Sequence, residues 1–420
     1  MGNFIFAKCD TVQLAKKYGT PLYVMSEDYI KDRCRESKED FEGRYPKTRA
    51  VYASKAFLTK EMARIIKRED IGMDVVSGGE LYTALAVGFP MEDIIFHGNN
   101  KTEDELDLAI KNNVGRIVVD NLAEIDLIGE IGERYNKKVK ILFRISPGID
   151  SETHKYIQTG QADSKFGIPL DEKTINKGLE KAFSLDFVEL LGFHFHIGSQ
   201  ISDNTNHIKS IEIMLNLMKQ AKKKYGFITK ELNTGGGYGI HYIKGEERKA
   251  LSYFTDPIMK AIEKGCKEHG LERPIVIIEP GRWRVGEAGI TLYTIGTIKE
   301  IPGIRTYVSV DGGMPDNPRP SLYEAEYDGI IANKVDQARD QLVTIAGKCC
   351  ESGDILIWDL KVPKVERGDI LAVPSTGAYN YSMSSNYNRI PRPAVVMLSE
   401  GKDRIIVKRE TYEDLLRNDI

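Results

Sequence analysis

The chain alternates short apolar runs with longer charged stretches of helical period. Apolar runs fall at 49–53, 71–76, 93–96, 115–119, 139–145, 188–195, 230–232 and 274–278. Most are separated by charged segments whose apolar positions recur at helix spacing, such as 102–112, 122–135, 206–225 and 256–269. The early repeat of roughly 22 residues is one strand-plus-helix unit, and eight such units in roughly 230 residues is the arithmetic of a (β/α)8 barrel. A doubly wound open sheet is the alternative, but no GxGxxG fingerprint follows the first strand. Past about residue 286 the rhythm changes. Short β-branched runs at 291–298, 306–310, 341–346, 355–358, 370–373 and 394–397 are cut by turns such as Pro302-Gly303, Asp311-Gly312-Gly313 and Arg367-Gly368-Asp369. That pattern predicts a mostly antiparallel β domain. Near the start, 21–25 reads as a strand and 27–44 as a helix, and a short helix is expected at 411–417. The expected division is an α/β barrel over 31–285 and a β domain of 1–30 plus 286–420, joined by the N-terminal strand.

Composition narrows the class. A chain of 420 residues with 41% hydrophobic content can bury a large core. A formal net charge of −3 argues against a nucleic-acid or membrane-surface protein. No apolar run approaches membrane-spanning length, and no signal peptide is read at Met1-Gly-Asn-Phe-Ile-Phe6. The five cysteines (Cys9, Cys34, Cys266, Cys349, Cys350) are odd in number and scattered, which suggests a reducing, cytoplasmic setting. No CxxC pair or His/Cys cluster has zinc spacing, so no metal is expected.

Candidate chemistry lies at the ends of the predicted barrel strands, where active sites of that fold sit. The first run ends in Ala53-Ser54-Lys55. A lysine costs much to bury unpaired, so this one either snorkels to solvent or serves as an amine that condenses with a carbonyl cofactor. The following ends carry Asp74 with Ser77-Gly78-Gly79-Glu80, then His97, Asp120, Arg144, His194 and His196 with Gly198-Ser199. The seventh run leads into Gly235-Gly236-Gly237 and the eighth into Glu279-Pro280-Gly281-Arg282. Each has a plain explanation: a core histidine, an N-cap for Asp120, a glycine turn, a salt bridge from Glu279 to Arg282 or Arg284. Together they form a ring of polar groups at one rim. The triple glycine can turn backbone N–H groups on an anion, and no GxxxxGK[ST] loop points to ATP. A lysine, a phosphate cradle and a buried carboxylate are the fixtures of pyridoxal 5'-phosphate.

Tyr52-Ala-Ser-Lys55, Asp74-Val-Val-Ser-Gly-Gly-Glu80, His196-Ile-Gly-Ser199, the triple glycine, Glu279-Pro-Gly-Arg282, Cys350-Glu-Ser-Gly-Asp354 and Gly377-Ala-Tyr379 resemble the fold-type III, alanine-racemase-like pyridoxal phosphate decarboxylases. The likeness runs in order through nearly the whole chain. It departs where Phe57 replaces a frequent Asn, and where Asn233-Thr234 precede the glycines in place of a commoner Asp or Leu; neither is expected to touch the chemistry. The resemblance implies that Lys55 is the Schiff-base lysine, with Asp74 nearby. His196 would stack on the cofactor ring, and Ser199, Gly235, Gly236, Gly237, Gly281 and Arg282 would surround the phosphate. Glu279 would pair with the pyridine nitrogen, and Tyr379 would meet cofactor and substrate. It also implies a homodimer with active sites at the interface, Cys350 being a proton donor and Glu351 an amine-binding group, both given by the partner subunit. Adjacent cysteines in a strand face opposite ways, so one of Cys349 and Cys350 is expected to point at a site.

Substrate choice within the family turns on Asn317-Pro-Arg319-Pro-Ser-Leu-Tyr323. Arg319 is either a solvated loop residue or a planar fork for a carboxylate, with Tyr323 as a hydroxyl donor and Arg282 as a second cation. A bare distal amine would call for acids instead. The pattern resembles that of members acting on meso-2,6-diaminopimelate, which implies its decarboxylation to L-lysine and carbon dioxide, the last step of lysine biosynthesis. The alternatives are a related decarboxylase of ornithine, lysine or another diamino acid, and a relative that binds the cofactor without turnover. A racemase is disfavoured, because racemases of this fold place an Arg where Glu279 stands.

Overall fold

Eight short parallel strands close on themselves in the computed structural model, which describes residues 2–149, 163–243, 245 and 248–420. In chain order they are Thr48–Ala53, Gly72–Val75, Ile94–Phe96, Arg116–Val119, Val139–Ser146, Val188–His194, Glu231–Asn233 and Ile275–Ile278. The eighth pairs with the first, Val276 opposite Thr48 and Ile278 opposite Ala50, and this closes the barrel. A two-residue strand, Ile168–Pro169, adds to the fifth. The apolar runs predicted from sequence coincide with all eight. Parallel strands in a barrel are covered on both faces, so they read as continuous hydrophobic segments. Val51, Ile95, Val118, Leu142, Leu191 and Ile277, from six different strands, form one buried cluster. Each such side chain contributes about 1.5–3 kcal/mol by leaving water.

The loops at the carboxyl ends of the strands are fixed by helix capping. Thr59, Ser77, Thr102, Asn121 and Asp171 each accept a backbone N–H at the start of the helix that follows one of the first five strands. Thr102 and Glu105 complete a reciprocal capping box. Such caps are worth about 1 kcal/mol each. They fix where each of these helices starts after its strand.

The barrel belongs to a unit made of Arg33–Gly239 and Lys249–Trp283. The other unit comprises Met1–Asp32, Ile240–Arg248 and Arg284–Ile420. It is built on a mostly antiparallel sheet with the order Ile355–Val362, Gln341–Ala346, Arg305–Val310, Gly289–Ile301, Leu22–Ser26, Ala394–Ser399, Lys402–Val407. Leu22–Ser26 sits inside the sheet, antiparallel to Gly289–Ile301 and parallel to Ala394–Ser399. Helix Thr11–Tyr18, capped by Asp10, packs Val12, Leu14 and Ala15 into this unit's core with Leu22, Leu292 and Val396. Lys402–Val407 is a strand that hydrophobic patterning does not reveal, because it is an edge strand with no buried residue. Among the described residues no helix is long and apolar enough to cross a membrane.

Truncating Leu142 tests the barrel core: Leu142→Ala should lower unfolding stability by about 2–5 kcal/mol, read as a drop in denaturant midpoint.

Candidate active site

The barrel rim is organised by Glu279, just past the eighth strand and 6% exposed. Its Oε1 accepts hydrogen bonds from His97 Nε2 (2.7 Å) and Asn233 Nδ2 (2.6 Å). His194 Nε2 stands 3.3 Å from Oε2. The two imidazoles meet edge to face with centroids 4.8 Å apart. Burial alone would raise the Glu279 carboxyl, but its neighbours, His97 ahead of His194, outweigh that and hold it well below the usual range. Burial pushes His194 down to about 4, so it stays a neutral imidazole. Ligand atoms of His97, His194 and Glu279 lie within 4.8 Å of one another, and these same atoms are the ones turned toward the carboxylate. Neither Arg282 nor Arg284, the partners suggested by sequence proximity, pairs with Glu279.

Asn233 ends the seventh strand, and its other amide atom, Oδ1, accepts the N–H of Gly235 (2.9 Å). It therefore ties Glu279 to the glycine loop, contrary to the expectation that this departure leaves the chemistry alone. No signal in one sequence marks it, because an Asn before glycines reads as a turn residue. Gly235 and Gly237 have positive φ (68° and 96°). A Cβ on Gly236 would meet the Glu279 carbonyl oxygen at 2.1 Å, and one on Gly235 would meet His196 Nδ1 at 2.8 Å. The loop thus lies in close contact with the backbone of the sixth and eighth strand ends. Gly236 N donates to His196 Nδ1 (3.3 Å), and burial followed by the Lys55 charge holds His196 well below its ordinary pKa. Arg282 Nη2 donates to Ser199 Oγ (3.0 Å), joining the loops after strands six and eight. A Cβ on Gly281 would press the Ala53 side chain at 2.9 Å.

Lys55 differs from the expectation of a buried strand end. The first strand stops at Ala53, and Lys55 is exposed on a 3-10 turn, Ser54–Ala56. The turn is pinned by Tyr52 Oη donating to Phe57 O (2.6 Å) and by Ser54 N donating to Asp74 Oδ1 (3.1 Å). No hydrogen bond or ion pair holds the Lys55 amine among the described residues. Asp74 is buried, and burial, followed by the charge of Glu279, raises its carboxyl well above the usual range despite Lys55. Two carboxyls of one rim are thereby pushed apart in acidity. Asp120 is not the predicted cap, which is Asn121. It accepts Gly167 N (2.9 Å) and faces Arg144 at 3.8 Å.

Residues 27–286 match the pyridoxal binding domain of the pyridoxal-dependent decarboxylases. The chain belongs to that family. Its sequence is 46% identical to the diaminopimelate decarboxylase of Bacillus subtilis (strain 168), with 100% of this chain and 95% of the relative covered. It is 48% identical to that of Bacillus methanolicus, over 97% and 95%. A solved diaminopimelate decarboxylase from M. jannaschii, in co-complex with L-lysine, matches with a TM-score of 0.93 at 36% identity, covering 100% of this chain and 96% of that one. The family's cofactor, pyridoxal phosphate, suits this rim: an unengaged amine at Lys55, an ionised buried carboxylate at Glu279, and a glycine loop in which any Cβ would collide.

As a pyridoxal-dependent decarboxylase the chain carries further candidate residues in its other unit. Arg319 is 4% exposed and opens a short helix, Arg319–Tyr323, where a solvated loop was the plain expectation. Tyr323 is half-buried. Cys349 and Cys350 lie on the connection between strands Gln341–Ala346 and Ile355–Val362, not in a strand, so alternation does not decide between them. The Asp354 carboxylate folds this connection by accepting Cys349 N (2.8 Å) and Met314 N (2.7 Å). Burial pushes the Cys349 thiol up to about 12, whereas Cys350 is exposed with its N–H on Asn388 Oδ1 (2.9 Å). Glu351 is also exposed. Tyr379 is half-buried in a left-handed conformation (φ 63°), uncommon for a bulky side chain.

Replacing Asn233 by Ala would remove both the Nδ2 donor to Glu279 and the Oδ1 acceptor for Gly235 N. Asn233→Ala should weaken pyridoxal phosphate binding about tenfold or more, measured by titrating cofactor-free protein with pyridoxal phosphate and following absorbance.

Proposed function

We infer that the protein decarboxylates meso-2,6-diaminopimelate to L-lysine and carbon dioxide with pyridoxal 5'-phosphate as cofactor. The observation that carries the substrate assignment is Arg319, a buried guanidinium with no carboxylate partner among the described residues. Leaving such a charge unmatched is costly, and a substrate carboxylate removes that cost. The high identity to diaminopimelate decarboxylases over the full chain supports the same reading. A decarboxylase of ornithine or lysine would meet a bare distal amine and would gain nothing from Arg319.

Bound pyridoxal phosphate supplies an electron sink for the carbanion left when carbon dioxide departs. Lys55 would attach it, because its amine is exposed and unengaged. Glu279 would hold the proton on the pyridine nitrogen, since His97 and Asn233 keep the carboxylate ionised and aimed. The proton kept there would let the ring take up the negative charge that develops as the C–C bond breaks. The loop of Gly235, Gly236 and Gly237, with Ser199, Gly281 and Arg282, would receive the phosphate. His196, kept neutral, would lie against the ring without adding a competing positive charge. Arg319 and Tyr323 would hold the distal carboxylate.

The enzyme is read as a homodimer in which Cys350 protonates the product carbanion and Glu351 takes the distal ammonium, each in the partner's site. Both side chains are exposed on one connection and turned away from their own unit's core. A cytoplasmic setting suits five cysteines that are all free thiols.

Carbon dioxide release should be observed from meso-2,6-diaminopimelate and not from ornithine or lysine; turnover of ornithine at a comparable rate would remove the substrate assignment. Lys55→Ala should abolish turnover and the visible absorbance of the bound cofactor. Mixing inactive Lys55→Ala with inactive Cys350→Ala should restore activity through hybrid dimers, since a two-fold assembly then contains one intact site. No recovery after verified subunit exchange would count against donation across the interface.

A further inference from the structure

Arg319 is held in an unusual way for a buried cation. Several other buried or half-buried cations meet acids: Arg116 forks onto Glu231 (Nε to Oε2, 2.8 Å), Lys101 meets Glu124 (2.6 Å), and Arg144 faces Asp120 (3.8 Å). Arg319 instead lies over the ring of Tyr242, its guanidinium carbon 4.7 Å from the centroid, and 5.5 Å from that of Tyr327. Its Nη1 donates to the Tyr327 hydroxyl. The two rings meet edge to face, with centroids 5.3 Å apart at 82°. The Tyr327 hydroxyl is 3.4 Å from the side-chain amide of buried Asn380. With that amide oriented to satisfy its surroundings, its nitrogen donates to the Thr376 and Ala378 carbonyls and its oxygen faces the Asn317 amide at 2.8 Å. The segment bearing Arg319 is thereby tied to the one bearing Tyr379.

These partners supply π-faces and hydroxyl oxygens but no negative charge. Nε has no hydrogen-bond partner, and no bond engages Nη2 among the described residues. One edge of the fork, Nε and Nη2, therefore has no protein partner among the described residues, and its parallel N–H groups match a bidentate carboxylate. An acid in place of either tyrosine would occupy or neutralise it.

We propose that Tyr242, Tyr327 and Asn380 are positioning residues that clamp Arg319 with one edge open, and that this clamp sets the preference for substrates bearing a distal carboxylate. The proposal rests on the reading of Arg319 as the group that receives that carboxylate. The L-centre of the substrate survives in the product, so L-lysine offers the same carboxylate to the clamp, whereas 1,5-diaminopentane offers none.

The test compares Arg319→Ala, Tyr327→Phe, Tyr242→Leu and Tyr242→Phe in the holoenzyme, measuring kcat and KM for meso-2,6-diaminopimelate and inhibition by L-lysine and by 1,5-diaminopentane. Tyr327→Phe should raise KM and the L-lysine inhibition constant together by about tenfold, as for loss of a hydrogen bond to a charged group. It should leave kcat and 1,5-diaminopentane inhibition little changed. Tyr242→Leu should act likewise, and Tyr242→Phe, which keeps the ring under the guanidinium, should restore wild-type values. If Arg319→Ala weakens L-lysine while Tyr327→Phe and Tyr242→Leu do not, the clamp is overturned and the carboxylate reading stands. If Arg319→Ala leaves L-lysine inhibition and KM unchanged, the carboxylate reading itself falls. Equal losses against both inhibitors would mark the tyrosines as structural and overturn the proposal. Tyr327→Phe preserves volume and packing, so it decides the matter even where Tyr242→Leu folds poorly.

Discussion

A buried carboxylate that stays ionised is the constraint on which the barrel rim depends. Taking an ionised carboxylate such as Glu279 out of water costs several kcal/mol unless hydrogen bonds replace the lost hydration. His97, at the end of the third strand, and Asn233, at the end of the seventh, supply those bonds, with His194 of the sixth alongside. His97 and Glu279 are 182 residues apart in sequence. Only the closed barrel brings them to hydrogen-bond distance, so barrel closure and carboxylate charge are one problem. The solution reaches further through Asn233, which holds Gly235 by its other amide atom. A change at Asn233 acts on charge and on loop geometry at once.

The same constraint sorts the acids of the rim. Asp74 and Glu279 are both buried, and the negative charge of one penalises that of the other. The imidazoles stand on the side of Glu279, so Glu279 takes the charge and Asp74 is pushed toward its neutral form. Lys55 escapes the penalty altogether by standing on an exposed turn. An amine in water keeps its reach and its freedom from ion pairs, and the role proposed for Lys55 needs both.

How much of this was legible in the chain follows from which forces leave a local trace. Strands buried on both faces leave long apolar runs, so all eight barrel strands could be read, and their ends pointed to Lys55, His196 and Glu279. Lys402–Val407 left a weaker trace, Ile405-Ile406-Val407 alone, because an edge strand with no buried residue needs no long apolar run. The exposure of Lys55 was hidden because the strand stops at Ala53 and Lys55 lies on the turn that follows, and residue type does not reveal where a strand stops. The role of Asn233 was hidden for a different reason: its partner lies 46 residues away. The placement of Cys349 and Cys350 off any strand depends on Asp354, whose carboxylate folds the connection around itself. Burial of Arg319 contradicted the habit of arginines flanked by prolines, since only contacts distant in sequence decide it.

The two charged centres are solved in opposite senses, and the difference follows from what each must bind. On the proposed function, the group facing Glu279 is a resident cofactor. Its carboxylate is therefore best held by the protein's own donors, which fix both charge and aim before the chemistry begins. On the proposed function, the group facing Arg319 is the substrate, which arrives and leaves in every turnover. Had an acid been set beside Arg319, the substrate carboxylate would have to displace it, and the gain on binding would shrink toward zero. Had nothing been set there, the guanidinium would lose its aim. Phenol rings and a hydroxyl orient the fork without cancelling its charge, so the unmet desolvation cost is relieved by a ligand carboxylate. A distal amine cannot relieve it and would add a like charge. Specificity for the doubly zwitterionic substrate thus arises from a charge the fold leaves short, as much as from the contact that completes it.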